Sequence, residues 1–307
     1  MLRHARRRLR SWLLVALAGC GPWLACHASL IRTCDQPERL SPAQKDTLLR
    51  FGGIVKDELE KSGQRVALIA RSGLDLSRFA VRYSHAGVSL KASENTPWSV
   101  RQLYFACDEQ RPRIFDQGMS GFVLGLNEPA LGYVSIVFLP PPEAGELERA
   151  ALDNHQALQL LSPAYSANAY PFSLKYQNCN QWLMELLATT WGRLEGGDDP
   201  RAQAQGWLKD KGYAPSVMAL GSRPMMWLGA FVPWVHSDDH PAEDTEQALY
   251  RVSMPASIEA FVQAQVPGAT RLELCHTERQ VVIRRGWEPI EEGCVAGAQD
   301  TVITLDP

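Results

Sequence analysis

The stretch that most constrains this chain is Tyr176-Gln177-Asn178-Cys179-Asn180-Gln181-Trp182, together with the run it opens, Trp182-Leu183-Met184-Glu185-Leu186-Leu187-Ala188. Trp182, Leu183, Leu186 and Leu187 recur at helical spacing, so the segment predicts a helix with a buried face. Asn178 is a good N-cap, and Gln181 three residues later gives a capping-box-like pattern. Cys179 then falls on the first turn, at the positive end of the helix dipole. A thiol there ionises more easily, and the thiolate is the nucleophilic form. The competing reading makes Cys179 a small buried residue that packs the helix start.

A second stretch, Arg82-Tyr83-Ser84-His85-Ala86-Gly87-Val88-Ser89-Leu90, lies in a polar/apolar alternation running from Phe79 to Leu90, which predicts a strand. Phe79, Val81, Tyr83 and His85 share one face of it, and Gly87 on that face leaves room for another group. Lys91 to Pro97 reads as a hairpin loop. The returning strand runs from Trp98 to Cys107, with Trp98, Val100, Gln102 and Tyr104 on one side. A His on a strand and a Cys at a helix start, far apart in sequence, are the two parts of a thiol–imidazole pair.

The 307 residues are 45% hydrophobic and 21% charged, with a formal charge of -3 and no long charge run. Length allows one large domain or two small ones, and the charge leaves no footprint for nucleic acid. Five Arg (3, 6, 7, 8 and 10) precede the apolar run from Trp12 to Ala18, the pattern of an export signal too short to span a membrane. Two cleavage points compete. Leu17-Ala18-Gly19-Cys20 resembles a lipobox, making Cys20 a lipidation candidate; Cys26-His27-Ala28 suits ordinary signal peptidase. Removing residues 1–28 leaves 26 basic against 34 acidic residues, a charge near -8. The expected location is the periplasm, with membrane contact only through the signal or a lipid anchor.

Export permits disulfides. Cleavage after Ala28 leaves Cys34, Cys107, Cys179, Cys275 and Cys294, an odd number. Cys275 and Cys294 flank a hairpin and form one candidate pair, Cys34 and Cys107 the second, and Cys179 remains as a thiol. Cleavage at Cys20 retains Cys26 and weakens that count.

Elsewhere, Ser41-Pro42-Ala43-Gln44 starts a helix that runs to Lys61. Strands are expected at 65–70, 133–139, 271–274, 280–285 and 302–305, and helices at 143–161, 201–211 and after Pro255. Ile114 to Leu126 is read as holding a short helix. His236-Ser237-Asp238-Asp239-His240 is read as a solvated loop before Pro241, with a metal site as the minor alternative. His155 is expected on the surface and His276 in a structural role. Trp227, Phe231 and Trp234 read as core, or alternatively as a cover for the site or a lipid contact.

Tyr83-Ser84-His85-Ala86-Gly87, Trp98-Ser99-Val100 and the Cys179 motif together resemble bacterial domain family of unknown function 2145, over roughly residues 34–260. More distantly, the order His-on-strand then Cys-on-helix is similar to circularly permuted papain-like hydrolases of the NlpC type. That resemblance implies Cys179 as nucleophile, His85 as base and Gln102 as the group that orients the imidazole, where such enzymes more often use a stronger acceptor.

The reading is therefore an α+β fold: an antiparallel sheet packed against helices, permuted papain-like over 34–195, with a C-terminal helical and β extension over 196–307. The expected function is an exported thiol hydrolase or acyltransferase acting on an amide or acyl bond of an envelope peptide, peptidoglycan or lipid. Tyr83 and Asn178 are oxyanion or substrate-binding candidates, and neither a cofactor nor a metal is expected. The alternative is a non-catalytic envelope binding protein or lipoprotein on the same scaffold.

Overall fold

The computed structural model describes residues 40–194, 197–229 and 232–305. The expected signal, Cys20, Cys34 and Phe231 lie outside them. The described residues fall within one compact unit.

The first helix, α1 (Pro42–Lys61), begins as its sequence dictates. Ser41 and Gln44 close a reciprocal capping box and Pro42 opens the first turn. Leu48, Phe51, Val55 and Leu59 repeat every three to four residues and are buried. Next come β1 (Val66–Arg71), β2 (His85–Leu90), β3 (Ser99–Ala106) and β4 (Arg111–Gln117), then α2 (Met119–Leu124) and β5 (Gly132–Phe138). Two helices, α3 (Pro141–Leu152) and α4 (Asn154–Gln159), lead through a long strap to α5 (Cys179–Trp191) and α6 (Pro200–Asp210). After these come β6 (Ser216–Ala219), α7 (Arg223–Gly229), α8 (Ala242–Glu246), β7 (Leu249–Val252), α9 (Pro255–Gln265), β8 (Thr270–His276), β9 (Gln280–Arg285) and β10 (Thr301–Thr304). No helix among the described residues is long and apolar enough to cross a membrane.

The mixed α+β architecture is as expected. Among the described residues the main sheet has eight strands, in the order β10-β9-β8-β5-β1-β2-β3-β4, each antiparallel to its neighbours. One face packs on α1 and α2 through Ala67, Ile69, Val100, Val134 and Ile136. The other carries Leu68, Ala70, Ala86, Val88 and Leu103 against α3, α5 and α9. Every residue of α5 from Cys179 to Thr189 is buried, as for a helix enclosed on all sides. From the C-terminal part, β8, β9 and β10 extend the sheet beside β5.

Three local expectations change. The strand expected from Phe79 starts only at His85, because Ser77–Phe79 form a single 3-10 turn and Ala80 takes a left-handed φ of 54°. Phe79 and Val81 are apolar because they pack on a small second core around Met218, Tyr250 and Val252 of the β6–β7 pair. Residues 111–117 form the edge strand β4, so the expected 114–126 helix shrinks to α2. The helix expected over 143–161 is two helices, since Asp153 leaves the helical conformation and caps α4 through the amides of His155 and Gln156.

Candidate functional site

Cys179 is the first residue of α5. Asn178 adopts an extended backbone, and its Oδ1 accepts the amide of Gln181 at 2.7 Å, satisfying an orphan donor of the first turn. The Asn178 Nδ2 donates to Ala167 O at 3.2 Å. Gln181 does not close a box; its amide turns to Glu185 at 3.1 Å. Asn180 Nδ2 donates to Ser84 O at 3.1 Å. This bond stitches the first turn of α5 to the residue before β2, so Cys179 and His85 are each next in sequence to one of its ends. Cys179 is buried, at 7% exposure, in the core with Ala86, Val88 and Leu103. It is not disulfide-bonded.

His85 opens β2 opposite Arg71 of β1. Its Nε2 lies 2.5 Å from Gln102 Oε1, and Gln102 Nε2 donates to Gln117 Oε1 at 2.7 Å. An amide oxygen only accepts, so Nε2 carries the proton and Nδ1 is the basic nitrogen of the neutral ring. Gln102 is 1% exposed and uses both ends of its amide. Gly87 makes room for it: a Cβ there would stand 2.7 Å from Arg101 O and 3.1 Å from Gln102 Cβ. The space expected beside Gly87 is thus filled by β3 itself. Phe122 of α2 lies 6.3 Å from the imidazole, and the Arg71 guanidinium sits 5.4 Å over that Phe122 ring. Because His85 alternates with Ala86 and Gln102 with Leu103, the His85–Gln102–Gln117 chain lies on the α1/α2 face of the sheet, whereas Cys179 packs on the α5 face, so His85 and Gln102 are brought together but not placed beside the thiol.

Tyr83 goes elsewhere. Its hydroxyl donates to Glu273, and burial pushes its pKa well above the ordinary tyrosine value. Glu273 is fully buried and also accepts from Arg82 at 3.0 Å and the Ile290 amide at 2.6 Å. Tyr83 is therefore part of a buried charge cluster on β8, and its hydroxyl is taken up there. Asn178 is likewise taken up in capping.

The rest of the motif is scaffold. Gln177 Oε1 accepts the Ser162 amide at 3.0 Å, and its Nε2 donates to Leu160 O at 2.8 Å and to Glu185 at 2.5 Å. Glu185 is fully buried inside α5, where Arg201 of α6 pairs it at 2.8 Å and Gln205 donates at 2.8 Å. Burial still raises its pKa, against the opposing pull of Arg201. Sequence reading missed Gln117, Arg71 and Glu185. The signal for Glu185 was present: one acid inside an otherwise apolar helix requires a buried partner.

The loop 236–240 is solvated only in part, with Asp238 exposed. His240 and Asp239 have fully buried side chains. His240 Nε2 lies 2.8 Å from Asn168 O, Asp239 accepts the Tyr170 amide at 2.8 Å, and His236 stacks on Tyr176 at 4.4 Å. The loop is a clasp on the strap leading to Cys179. Among the described residues no cluster of metal-ligating side chains assembles. His155 is exposed and His276 is buried. Trp234 packs near Phe105, whereas Trp227 is 66% exposed. A groove of about 690 Å³, lined by Glu146, Arg149, Thr190 and Arg193 among others, lies at the other, C-terminal end of α5.

Cys275 and Cys294 form the expected disulfide, with Cα atoms 5.7 Å apart. Cys107 is also disulfide-bonded, and its expected partner Cys34 lies outside the described residues.

The motifs around His85, Trp98 and Cys179 fall within residues 58–262, which match the model of the bacterial family DUF2145, described as an uncharacterized protein conserved in bacteria. The chain belongs to that family. The matched span runs from the last turn of α1 to α9, and so takes in His85, Gln102, Gln117 and Cys179 but not β8–β10. No curated protein and no solved structure matches the chain.

Proposed function

We propose that this protein is an exported cell-envelope thiol hydrolase or acyltransferase, working on a permuted papain-like core. The observation that carries the reading is Cys179 on the Asn178-capped first turn of α5, which Asn180 ties to the residue before His85. The helix N-terminus favours the Cys179 thiolate, which attacks an ester or amide carbonyl, and His85 takes the thiol proton through water at the strand end. A C–S bond forms, the bond to the leaving alcohol or amine breaks, and His85 returns its proton to that group. Water or an acceptor then takes the acyl group from the thioester. Gln102 holds the ring so that Nδ1 stays basic. The Cys179 and Asn180 amides at the start of α5 are the donors for the oxyanion, in place of Tyr83 and Asn178. The envelope location rests on the arginine-led apolar run and on the Cys275–Cys294 disulfide.

The test is alkylation of the native protein by iodoacetamide as a function of pH. Cys179 should react faster than an ordinary thiol near neutral pH, and His85→Ala should slow it with the circular dichroism spectrum unchanged. The non-catalytic binding reading has two observations in its favour, the burial of Cys179 in the core and the placement of His85 on the opposite face of the sheet. It is the correct one if Cys179 reacts only after unfolding.

A further inference from the structure

The groove at the C-terminal end of α5 is walled by α3, α4 and the turn that ends α5. At about 690 Å³ it falls within the range of about 300–1,000 Å³ that receives small ligands. Its charged lining is Glu146 and Arg149 of α3, Asp153 at the corner between α3 and α4, and Arg193 just beyond α5. Three acids lie within four residues of Arg149, and each is held elsewhere. Glu146 pairs with Arg193 at 3.1 Å, and Glu148 accepts from Arg65 at 2.9 Å. Asp153 Oδ1 caps α4 through the His155 and Gln156 amides at 2.8 and 3.2 Å. Among the described residues, the Arg149 guanidinium is therefore left on the groove wall without a carboxylate.

Across the groove, Thr190 gives its hydroxyl proton to Leu186 O at 2.7 Å, so it offers a ligand only lone pairs. Leu160 and Leu194 add apolar surface. Two arginines against two acids sum to zero. A dianion such as phosphate would meet Glu146 and Asp153 as well as Arg149, whereas a monoanion needs only one cation. Among the described residues that line the groove, none is aromatic, so there is no ring face on which a sugar could stack. We propose that this groove binds the free C-terminal carboxylate of a short peptide. Arg149 takes the carboxylate through its fork of N–H donors, Thr190 Oγ1 accepts the last peptide N–H, and the last side chain lies on Leu160 and Leu194. The 13 residues of α5 put this site about 20 Å from Cys179, so it stands apart from the thiol and does not depend on its chemistry.

The experiment titrates the full chain calorimetrically with twenty acetyl-glycyl-glycyl-X peptides, one for each last residue, as free acids and as carboxamides. With leucine or methionine as X, the acid should bind about tenfold more tightly than its amide, the effect of one charge-assisted pair. Arg149 is exposed, so its variants should keep the wild-type circular dichroism spectrum. Arg149→Ala should bring the acid down to the affinity of the amide, and Arg149→Lys, which keeps the charge without the fork, should recover part of the difference. Cys179→Ser should bind as the wild type does; a loss there would place the peptide at the thiol and overturn the assignment to this groove. If none of the twenty acids binds more tightly than its amide, or if Arg149→Ala leaves the preference intact, the proposal is wrong. It is equally wrong if inorganic phosphate displaces the peptide at the peptide's own concentration, since that marks a general anion site.

Discussion

Gln102 is the residue on which the candidate site turns. It is buried between two partners, so replacing it with alanine removes the acceptor for His85 Nε2 and leaves the Gln117 amide without its donor. Gln102→Ala should cost about 1–3 kcal/mol, read from urea unfolding, and slow Cys179 alkylation as the imidazole loses its fixed tautomer. A variant that loses stability but alkylates at the wild-type rate would remove Gln102 from the site. His276 gives a second residue-scale expectation. It is fully buried 4.7 Å from the Phe51 ring, its nitrogens find no hydrogen-bond partner among the described residues, and burial lowers its pKa to about 4. The folded value lies below the usual 6.5, so the unfolded chain binds the proton first. Stability is whole above pH 6.5 and falls as pH drops toward 4, by about 3 kcal/mol in all. His276→Phe should flatten that part of a pH–stability curve, and an unchanged slope would assign the acid loss to other groups.

At the scale of elements, α5 is held by charge as well as by packing. Glu185 sits in its middle and collects Arg201, Gln205, Gln177 and Gln181, which ties α6 and the 160–178 strap to one helix. Removing Arg201 leaves a buried carboxylate without its cation. Arg201→Ala should therefore destabilise by about 3–5 kcal/mol. Glu185→Gln in the same background should recover part of this, because it removes the charge left behind. Urea denaturation of the single and double variants decides it, and simple additivity of the two losses would deny the coupling. The strap ends at the cap of Cys179, so Arg201→Ala should also open the thiol to alkylation.

At the scale of the whole molecule, the sheet binds the first and last parts of the chain together. β5 lies between β1 and β8, and the Arg82–Tyr83–Glu273–Arg271 cluster locks the approach to β2 onto β8. The Cys275–Cys294 bridge closes a loop over a separation of 19 residues on that same side. Breaking it in a Cys275→Ala/Cys294→Ala double variant should cost about 2–4 kcal/mol and lower the melting temperature, with Cys179 alkylation of the folded fraction unchanged. A large change in Cys179 reactivity would mean that the bridge shapes the site and does more than support the sheet.

The features legible in the sequence are those set by residues close together. The Ser41–Gln44 box, the Asn178 cap, Cys179 on a first turn and the buried face of the helix it opens all follow from caps and 3.6-residue spacing; that the helix is enclosed on every side does not. The meeting of His85 with Gln102 follows from alternation across one hairpin. The local pattern misled where apolar residues served a different core, as with Phe79 and Val81, whose alternation belongs to the β6–β7 pair. Only the tertiary structure decided the rest. Tyr83 finds its carboxylate 190 residues away, Glu185 finds Arg201 on the next helix, and β8 pairs with β5 across nearly half of the chain. A buried charge and a strand edge each state a need for a partner. Neither says which partner, because that choice depends on long-range packing, whereas a helix cap is satisfied within its own turn.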